Sequence, residues 1–157
     1  MVVIEMENGK QIEIQLDEKA APITVENFVK LVKDGFYDGL SFNRIIPGFM
    51  IQGGCPEGTG MGGPGWSIKG EFASNGWDNP ILHTRGVISM ARSMNPDSAG
   101  SQFFIMHKDA PHLDGQYAAF GKVISGMEVV DEIASTPTDM RDRPKTPVVI
   151  KRITIRE

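Results

Sequence analysis

The stretch whose reading decides the fold is Phe42-Asn43-Arg44-Ile45-Ile46-Pro47-Gly48-Phe49-Met50-Ile51-Gln52-Gly53-Gly54. Pro47 presets φ for the second position of a tight turn, and Gly48 accepts the positive φ that the third position of a type II turn requires. The flanking segments are apolar and short, so the whole reads as a β-hairpin. Successive strand side chains point to opposite faces. Arg44 and Ile46 are therefore expected on one face, with Asn43 and Ile45 on the other. After the turn, Met50 and Gln52 share a face, and Phe49 and Ile51 share the opposite one. The hairpin holds a cation at a fixed place beside apolar surface and an amide.

Working outward toward the N-terminus, Val2–Met6 and Gln11–Leu16 flank Asn8-Gly9, a dipeptide that favours the type I′ hairpin turn. Ile12, Ile14 and Leu16 alternate with polar residues, as in a half-buried antiparallel strand. Pro22 opens a helix whose apolar spacing is Val25, Phe28, Val29 and Val32, with Gly35 as its stop. Toward the C-terminus, residues 55–70 are too rich in glycine for a helix and read as a long loop. Strands are expected over Gly86–Met90, Gln102–Met106, Tyr117–Val123 and Val148–Ile155, the last with a register break. Within the second of these, adjacent Phe103 and Phe104 must face opposite ways. Ser125 and Glu128 have the spacing of a capping box, and the second helix would present Met127, Val130 and Ile133 on one face. Strands outnumber helices and no βαβ rhythm is present, so the expected architecture is an antiparallel sheet closed on itself.

Composition excludes several function classes. The chain has 157 residues, 40% of them hydrophobic and 23% charged, which suits one globular domain over 1–157. Its net charge of −4 and lack of a basic block argue against nucleic-acid or membrane-surface partners. The single cysteine, Cys55, rules out an intrachain disulfide, and the acidic N-terminal segment is unlike a secretory signal; a cytoplasmic monomer is expected. Gly58-Thr59-Gly60-Met61-Gly62-Gly63 matches a dinucleotide-binding pattern in form only, because Pro64 and Gly65 forbid the helix that must follow. Cys55, His83, His107 and His112 lack the paired spacing of a zinc site, so no metal is expected. No nucleophile-elbow pattern is present.

What remains is the arginine with its apolar surroundings, and here a resemblance enters. The hairpin stretch, then Gly86–Ala91 (GVISMA), Gly100–Ile105 (GSQFFI) and His112–Val123 (HLDGQYAAFGKV) resemble, in order, the motifs of the cyclophilins, the cyclosporin-binding family of peptidyl-prolyl isomerases. The N-terminal hairpin and Ala21–Phe28 (APITVENF) extend the likeness across nearly the whole chain, which is most similar to the small prokaryotic single-domain members. The resemblance implies an all-β fold with two helices: a closed eight-stranded antiparallel β-barrel capped by one helix at each end, with the proline pocket on its outer surface. It implies acceleration of rotation about X–Pro bonds in flexible or unfolded protein segments, with no cofactor. Arg44 matches the catalytic arginine. Phe49, Met50, Phe104 and Leu113 match the walls of the proline pocket, and Gln52 and Gln102 the polar groups beside it. Ala91 and Arg92 match a segment whose main chain pairs with substrate, although Asn more often stands at position 92. His112 stands where many members carry Trp, and Tyr117 where many carry His. Cyclosporin binding of reduced affinity is implied by His112. The loop from Met90 to Ser101 is one residue longer than in the commonest members. The competing class, a proline-binding adaptor without catalysis, would share the pocket and have little use for the cation.

Overall fold

A computed structural model describes residues 1–156; the expected domain limit at Glu157 lies outside the described residues. Eight strands form one antiparallel sheet: β1 (Val2–Met6), β2 (Gln11–Leu16), β3 (Phe42–Ile46), β4 (Met50–Gly53), β5 (Val87–Met90), β6 (Phe103–Met106), β7 (Ala119–Ser125) and β8 (Ile150–Ile155). Their order in space is β3-β4-β6-β5-β7-β2-β1-β8. Two helices, α1 (Pro22–Lys33) and α2 (Met127–Ala134), turn buried faces into the same core, Val25, Phe28, Leu31 and Val32 from one and Val129, Val130, Ile133 and Ala134 from the other. Phe28 anchors an aromatic group there, edge-on to Phe103 at 5.6 Å and tilted against Tyr37 and Phe120.

The expected closed barrel is corrected: the sheet is a curled half-barrel whose end strands, β3 and β8, share no ladder. The chain before β8 lies along the β3 edge instead. Ile45 N–H donates to Asp142 O and Phe42 N–H to Val148 O, and Ser41 and Val149 form an isolated bridge. That segment contains Pro144 and Pro147, which carry no N–H and so cannot sustain a ladder. The edge groups are satisfied singly, which still blunts the edge against pairing with other chains.

Several local expectations are also revised. The first hairpin does not close through a type I′ turn. Gly9 N–H donates to Met6 O and Met6 N–H to Lys10 O, with only Gly9 at positive φ (85°), the pattern of a type I turn followed by a bulge. α1 starts at Pro22 as expected, yet its neighbour Ala21 gives no side-chain cap. The fully buried carboxylate of Glu71 accepts from the N–H groups of Ile23 and Thr24 and from the Thr24 hydroxyl. A negative charge at a helix N-terminus is favourable there. At the other end Gly35 N–H bonds Val32 O and Phe36 N–H bonds Leu31 O, a Schellman ending. The capping box at α2 does not form. Ser125 ends β7, and Gly126 caps the helix at φ 90°, packed so tightly that a Cβ there would lie 2.3 Å from Gln11 O. β7 starts at Ala119 and not at Tyr117, because Asn79 Nδ2 takes Ala119 O and Ala119 N–H turns back to Tyr117 O. The register break expected in the last strand is a bulge where Met6 pairs with Ile150 and Glu5 with Arg152, so Ile150 and Ile153 both reach the core.

Candidate functional site

The Pro47-Gly48 turn forms as read, with Gly48 at φ 78° and Phe49 N–H donating to Ile46 O. The ladder that follows places residues in rows. Arg44 pairs with Gln52, Gln52 with Phe104 and Phe104 with Ser89, so these four lie across β3, β4, β6 and β5 on one face of the sheet. The next inward-facing row is Ile45, Ile51, Ile105 and Ile88, all fully buried in the core. A bulge between Phe42 and Arg44 makes this possible: Phe42 stays in the core, Asn43 is absorbed, and Arg44 emerges on the outer face.

On that outer face lies a second apolar cluster, separate from the core, built on Met50, Phe104, Met106, Leu113 and Ala119 with Phe49 and Tyr117 against it. It leaves a hollow of about 130 Å³ lined by Arg44, Phe49, Met50, Gln52, Ala91, Arg92, Phe104, Leu113 and Tyr117. Nine of the eleven candidate site residues are therefore brought together. Phe49 departs from the alternation rule: it belongs to the turn, before β4 begins at Met50, so it joins Met50 and not Ile51. The two remaining candidates sit alongside. Gln102 lines a neighbouring hollow of about 290 Å³, which also shares Gln52, Ala91 and Arg92. His112 stacks on the far side of Phe49, ring centroids 5.7 Å apart, and does not line the hollow.

A line of amides connects the two hollows. Gln102 Nε2 donates to Gly60 O at 3.0 Å and to Gly62 O at 2.9 Å, which turns its Oε1 toward Gln52. Gln52 Nε2 donates to that oxygen at 3.2 Å, leaving Gln52 Oε1 to face Arg44 Nη1 at 3.5 Å, a long hydrogen bond. Arg92 serves the wall by its side chain. Its guanidinium lies between the rings of Phe72 (4.9 Å) and Tyr117 (4.8 Å) and donates to Gln116 O and Ser93 O. Ala91 N–H is already bonded to Gln102 O, so the main-chain group it keeps available is its carbonyl.

The residues that sequence reasoning missed lie underneath. His83 is buried, its Nε2 2.9 Å from Ser89 Oγ and its Nδ1 3.2 Å from Asp114 Oδ1, and its ring stacks on Phe104 with centroids 6.0 Å apart. Burial lowers the His83 pKa below the ordinary imidazole value, against the upward pull of Asp114. The available signal was Ser89 itself, a polar residue inside an apolar strand, which must find a partner if buried.

The glycine-rich loop has no phosphate cradle to offer. Its N–H groups at Gly60 and Gly62 point inward to Cys55 Sγ, both at 3.3 Å, and Arg143 holds the carbonyls of Gly58 and Thr59 from outside. Burial raises the Cys55 thiol pKa, but these backbone donors outweigh it and the net direction is downward. Among the described residues no cluster of three or more His, Cys, Asp or Glu is placed to hold a metal ion.

The comparisons with known proteins bear on this arrangement. The family model for cyclophilin type peptidyl-prolyl cis-trans isomerases matches residues 1–155. The chain belongs to this family. It is 52% identical over 130 residues to peptidyl-prolyl cis-trans isomerase B of Bacillus subtilis, covering 83% of this chain and 87% of that one. It is 52% identical over 128 residues to a Helicobacter pylori peptidyl-prolyl cis-trans isomerase, covering 80% and 76%. Among solved structures, a Cryptosporidium parvum cyclophilin type isomerase crystallised in the presence of the dipeptide Ala-Pro superposes with a TM-score of 0.91 at 34% identity, covering 99% of this chain and 98% of that chain. The cyclophilin chain described here is a peptidyl-prolyl cis-trans isomerase. No helix among its described residues is long and apolar enough to cross a membrane.

Proposed function

We propose that the proline ring of an X–Pro segment seats in the hollow walled by Phe49, Met50, Phe104 and Leu113, and that Arg44 stabilises the half-rotated amide. The observation that carries this reading is that Arg44 lines the same hollow as the four apolar walls. The Ala-Pro dipeptide used with the related Cryptosporidium structure supports proline peptides as the ligand class.

The chemistry follows from amide resonance. Rotating a peptide bond costs about 18–20 kcal/mol because that resonance is lost. The two X–Pro isomers differ by only about 0.5–1 kcal/mol, so the obstacle is rate. As the bond twists, the proline nitrogen regains a localised lone pair that the planar amide lacks. A guanidinium aimed at that nitrogen binds the twisted state better than either planar one, which is the condition for catalysis. Arg suits the task because it stays charged and holds a rigid fork. The Gln102–Gln52 amide line orients the fork, and the apolar walls exclude the water that would compete for the nitrogen. The neighbouring hollow, bordered by Gly62, Pro64 and Trp66, takes the residues preceding proline. The Ala91 carbonyl supplies a main-chain contact to an extended substrate. His112, outside the pocket wall, gives cyclosporin a weaker contact than a larger indole would. The chain works as a cytoplasmic monomer of one domain on flexible protein segments and needs no cofactor.

The test is Arg44→Ala. Arg44 is exposed and carries no core contact, so the fold should survive. Isomerisation of a short Ala-Pro peptide should slow by roughly a hundredfold to a thousandfold, the usual loss for one aimed donor. A near-wild-type rate would remove Arg44 from its role. Because no acid or base takes part, kcat should stay flat from about pH 6 to 8. Binding without accelerated exchange, measured by NMR on the same peptide, would support a non-catalytic adaptor.

A further inference from the structure

The Pro47-Gly48 turn is held from outside by a cluster with no part in the chemistry above. Gly48 N–H donates to His107 Nδ1 at 2.8 Å. The His107 main-chain N–H donates to Phe49 O at 2.9 Å, and Lys108 N–H reaches the same oxygen at 3.4 Å. The ring's other nitrogen, Nε2, lies 3.1 Å from Asp131 Oδ1 on α2. Asp131 is in turn gripped by both terminal nitrogens of Arg85, at 2.7 and 2.6 Å, and Arg85 also donates to His107 O at 2.8 Å. A nitrogen that accepts from Gly48 carries no proton, so the proton sits on Nε2 and is donated to Asp131. The carboxylate thereby fixes both tautomer and ring plane, as such partners do for histidine generally. Arg85 keeps Asp131 ionised, with its carboxyl held below the usual carboxylate range.

We infer that His107 is a positioning residue for substrate affinity: it pins the turn on both sides of Phe49, with Asp131 and Arg85 orienting its ring, and so sets where the Phe49 wall stands. The geometry has a reason. Phe49 lies in a turn: its N–H closes the turn on Ile46 O and its carbonyl takes the His107 main-chain N–H, but the preceding Gly48 N–H has no backbone partner among the described residues. The His107 ring supplies that partner, while its main chain holds the carbonyl of Phe49. The His112 ring on the far face of Phe49 is exposed and adds packing without a hydrogen bond to the turn. The inference rests on the reading that Phe49 walls the proline pocket.

The wall grips planar and twisted proline alike, so its displacement should weaken binding and spare the chemical step. Two substitutions separate the His107 contacts. His107→Asn keeps an acceptor near the Nδ1 position, within reach of Gly48. His107→Gln places its amide near the Nε2 position, toward Asp131, and leaves Gly48 without an acceptor. Line-shape NMR on an Ala-Pro tetrapeptide would give KM and kcat, and the Gly48 amide proton would report its own bond. His107→Gln should raise KM about threefold to tenfold, the equivalent of one hydrogen bond, with kcat unchanged and the Gly48 amide shifted upfield. His107→Asn should stay close to wild type in all three. Should His107→Gln melt early, Asp131→Ala on the outer side of α2 carries the same test, with a smaller rise in KM. Equal KM for His107→Gln and wild type, while Phe49→Ala raises it, overturns the inference and leaves the pocket standing. Equal losses in His107→Gln and His107→Asn also overturn it, since the Gly48 acceptor would then be irrelevant. An unchanged KM in Phe49→Ala overturns the pocket reading itself.

Discussion

The two faces of the β3-β4-β6-β5 portion of the sheet each carry an apolar cluster and serve opposite ends. On the inner face Ile45, Ile51, Ile105 and Ile88 lie in one row, with Phe42 and Phe103 beside it, all of them fully buried. On the outer face the corresponding row is Arg44, Gln52, Phe104 and Ser89. The inner row is closed by α1 and α2, whose side chains fill the space. Among the described residues the outer row is covered by the Phe49 turn, the short helical turn carrying Leu113 and the side chains of Arg92 and Tyr117, which leave a ring-sized hollow. One sheet therefore builds a core on one side and a site on the other. The difference lies both in the rows themselves, four isoleucines against one phenylalanine among polar residues, and in what covers each face.

Adjacent phenylalanines on β6 offer the sharpest way to break that contrast. Phe103 is fully buried and edge-on to Phe28, Tyr37 and Phe42; Phe104 is 5% exposed and faces the hollow. Phe103→Ala should destabilise by about 3–5 kcal/mol, the usual loss for a large core ring, read as a shifted urea midpoint, while KM of the folded fraction stays put. Phe104→Ala should cost less stability and raise KM instead. If both variants lost stability and affinity in the same proportion, the two faces would be one cooperative unit and the comparison would fail.

A smaller effect tests what covers the outer face. The Arg92 guanidinium is held flat between Phe72 and Tyr117 and bonded to Gln116 O, a placement that needs a planar fork. Arg92→Lys should lower stability by about 1 kcal/mol and loosen Tyr117, with a modest rise in KM. Identical peptide affinity and an unmoved Tyr117 ring resonance would show that the wall does not depend on Arg92.

The inner face was far more legible in the sequence than the outer one. Alternation places the strands of the first hairpin, though not its turn type, and the opposed pair Phe103 and Phe104, and turn chemistry places the Pro47-Gly48 turn, because each depends on neighbours in the chain. The start of α1 and the stop at Gly35 follow for the same reason. Phe49 was misplaced by that logic, since alternation ends where a strand becomes a turn; it lines the hollow beside Met50 instead. The closed barrel failed because closure depends on how two distant edges meet, and prolines in the intervening segment decide that locally. Glu71 capping α1, His83 under Phe104 and His107 at Gly48 were invisible to it. Their partners are 47, 6 and 59 residues away along the chain, and nothing but the fold makes them neighbours. Even Ser89, only 6 residues from His83, is brought to it by a turn in which Val87 N–H donates to Thr84 O. Support for the elements around both faces thus comes from polar contacts between separate segments, which leave no periodic trace.

The smallest effect expected concerns that support. His83 is buried against Phe104 and Ser89, and burial lowers its pKa, with Asp114 pulling the other way and the charge on His112 adding to the decrease. The unfolded chain takes up its proton near pH 6.5, the ordinary value for imidazole. Below that pH the unfolded state holds a proton that the folded state still refuses, so stability falls as pH drops from about 6.5 toward the depressed folded value. Above about 6.5 both states are neutral at this residue and its contribution is complete and constant. Urea midpoints at pH 7.5, 6.0 and 5.0 should therefore decline through the acid range. His83→Gln, which can still reach Ser89 and carries no titrating group, should flatten part of that decline. An unchanged acid slope in the variant would assign the loss to other groups. It would also mean that His83 binds its proton equally well folded and unfolded, so that burial beneath Phe104 costs the charged ring nothing, and the supported face would differ from the exposed one in packing alone.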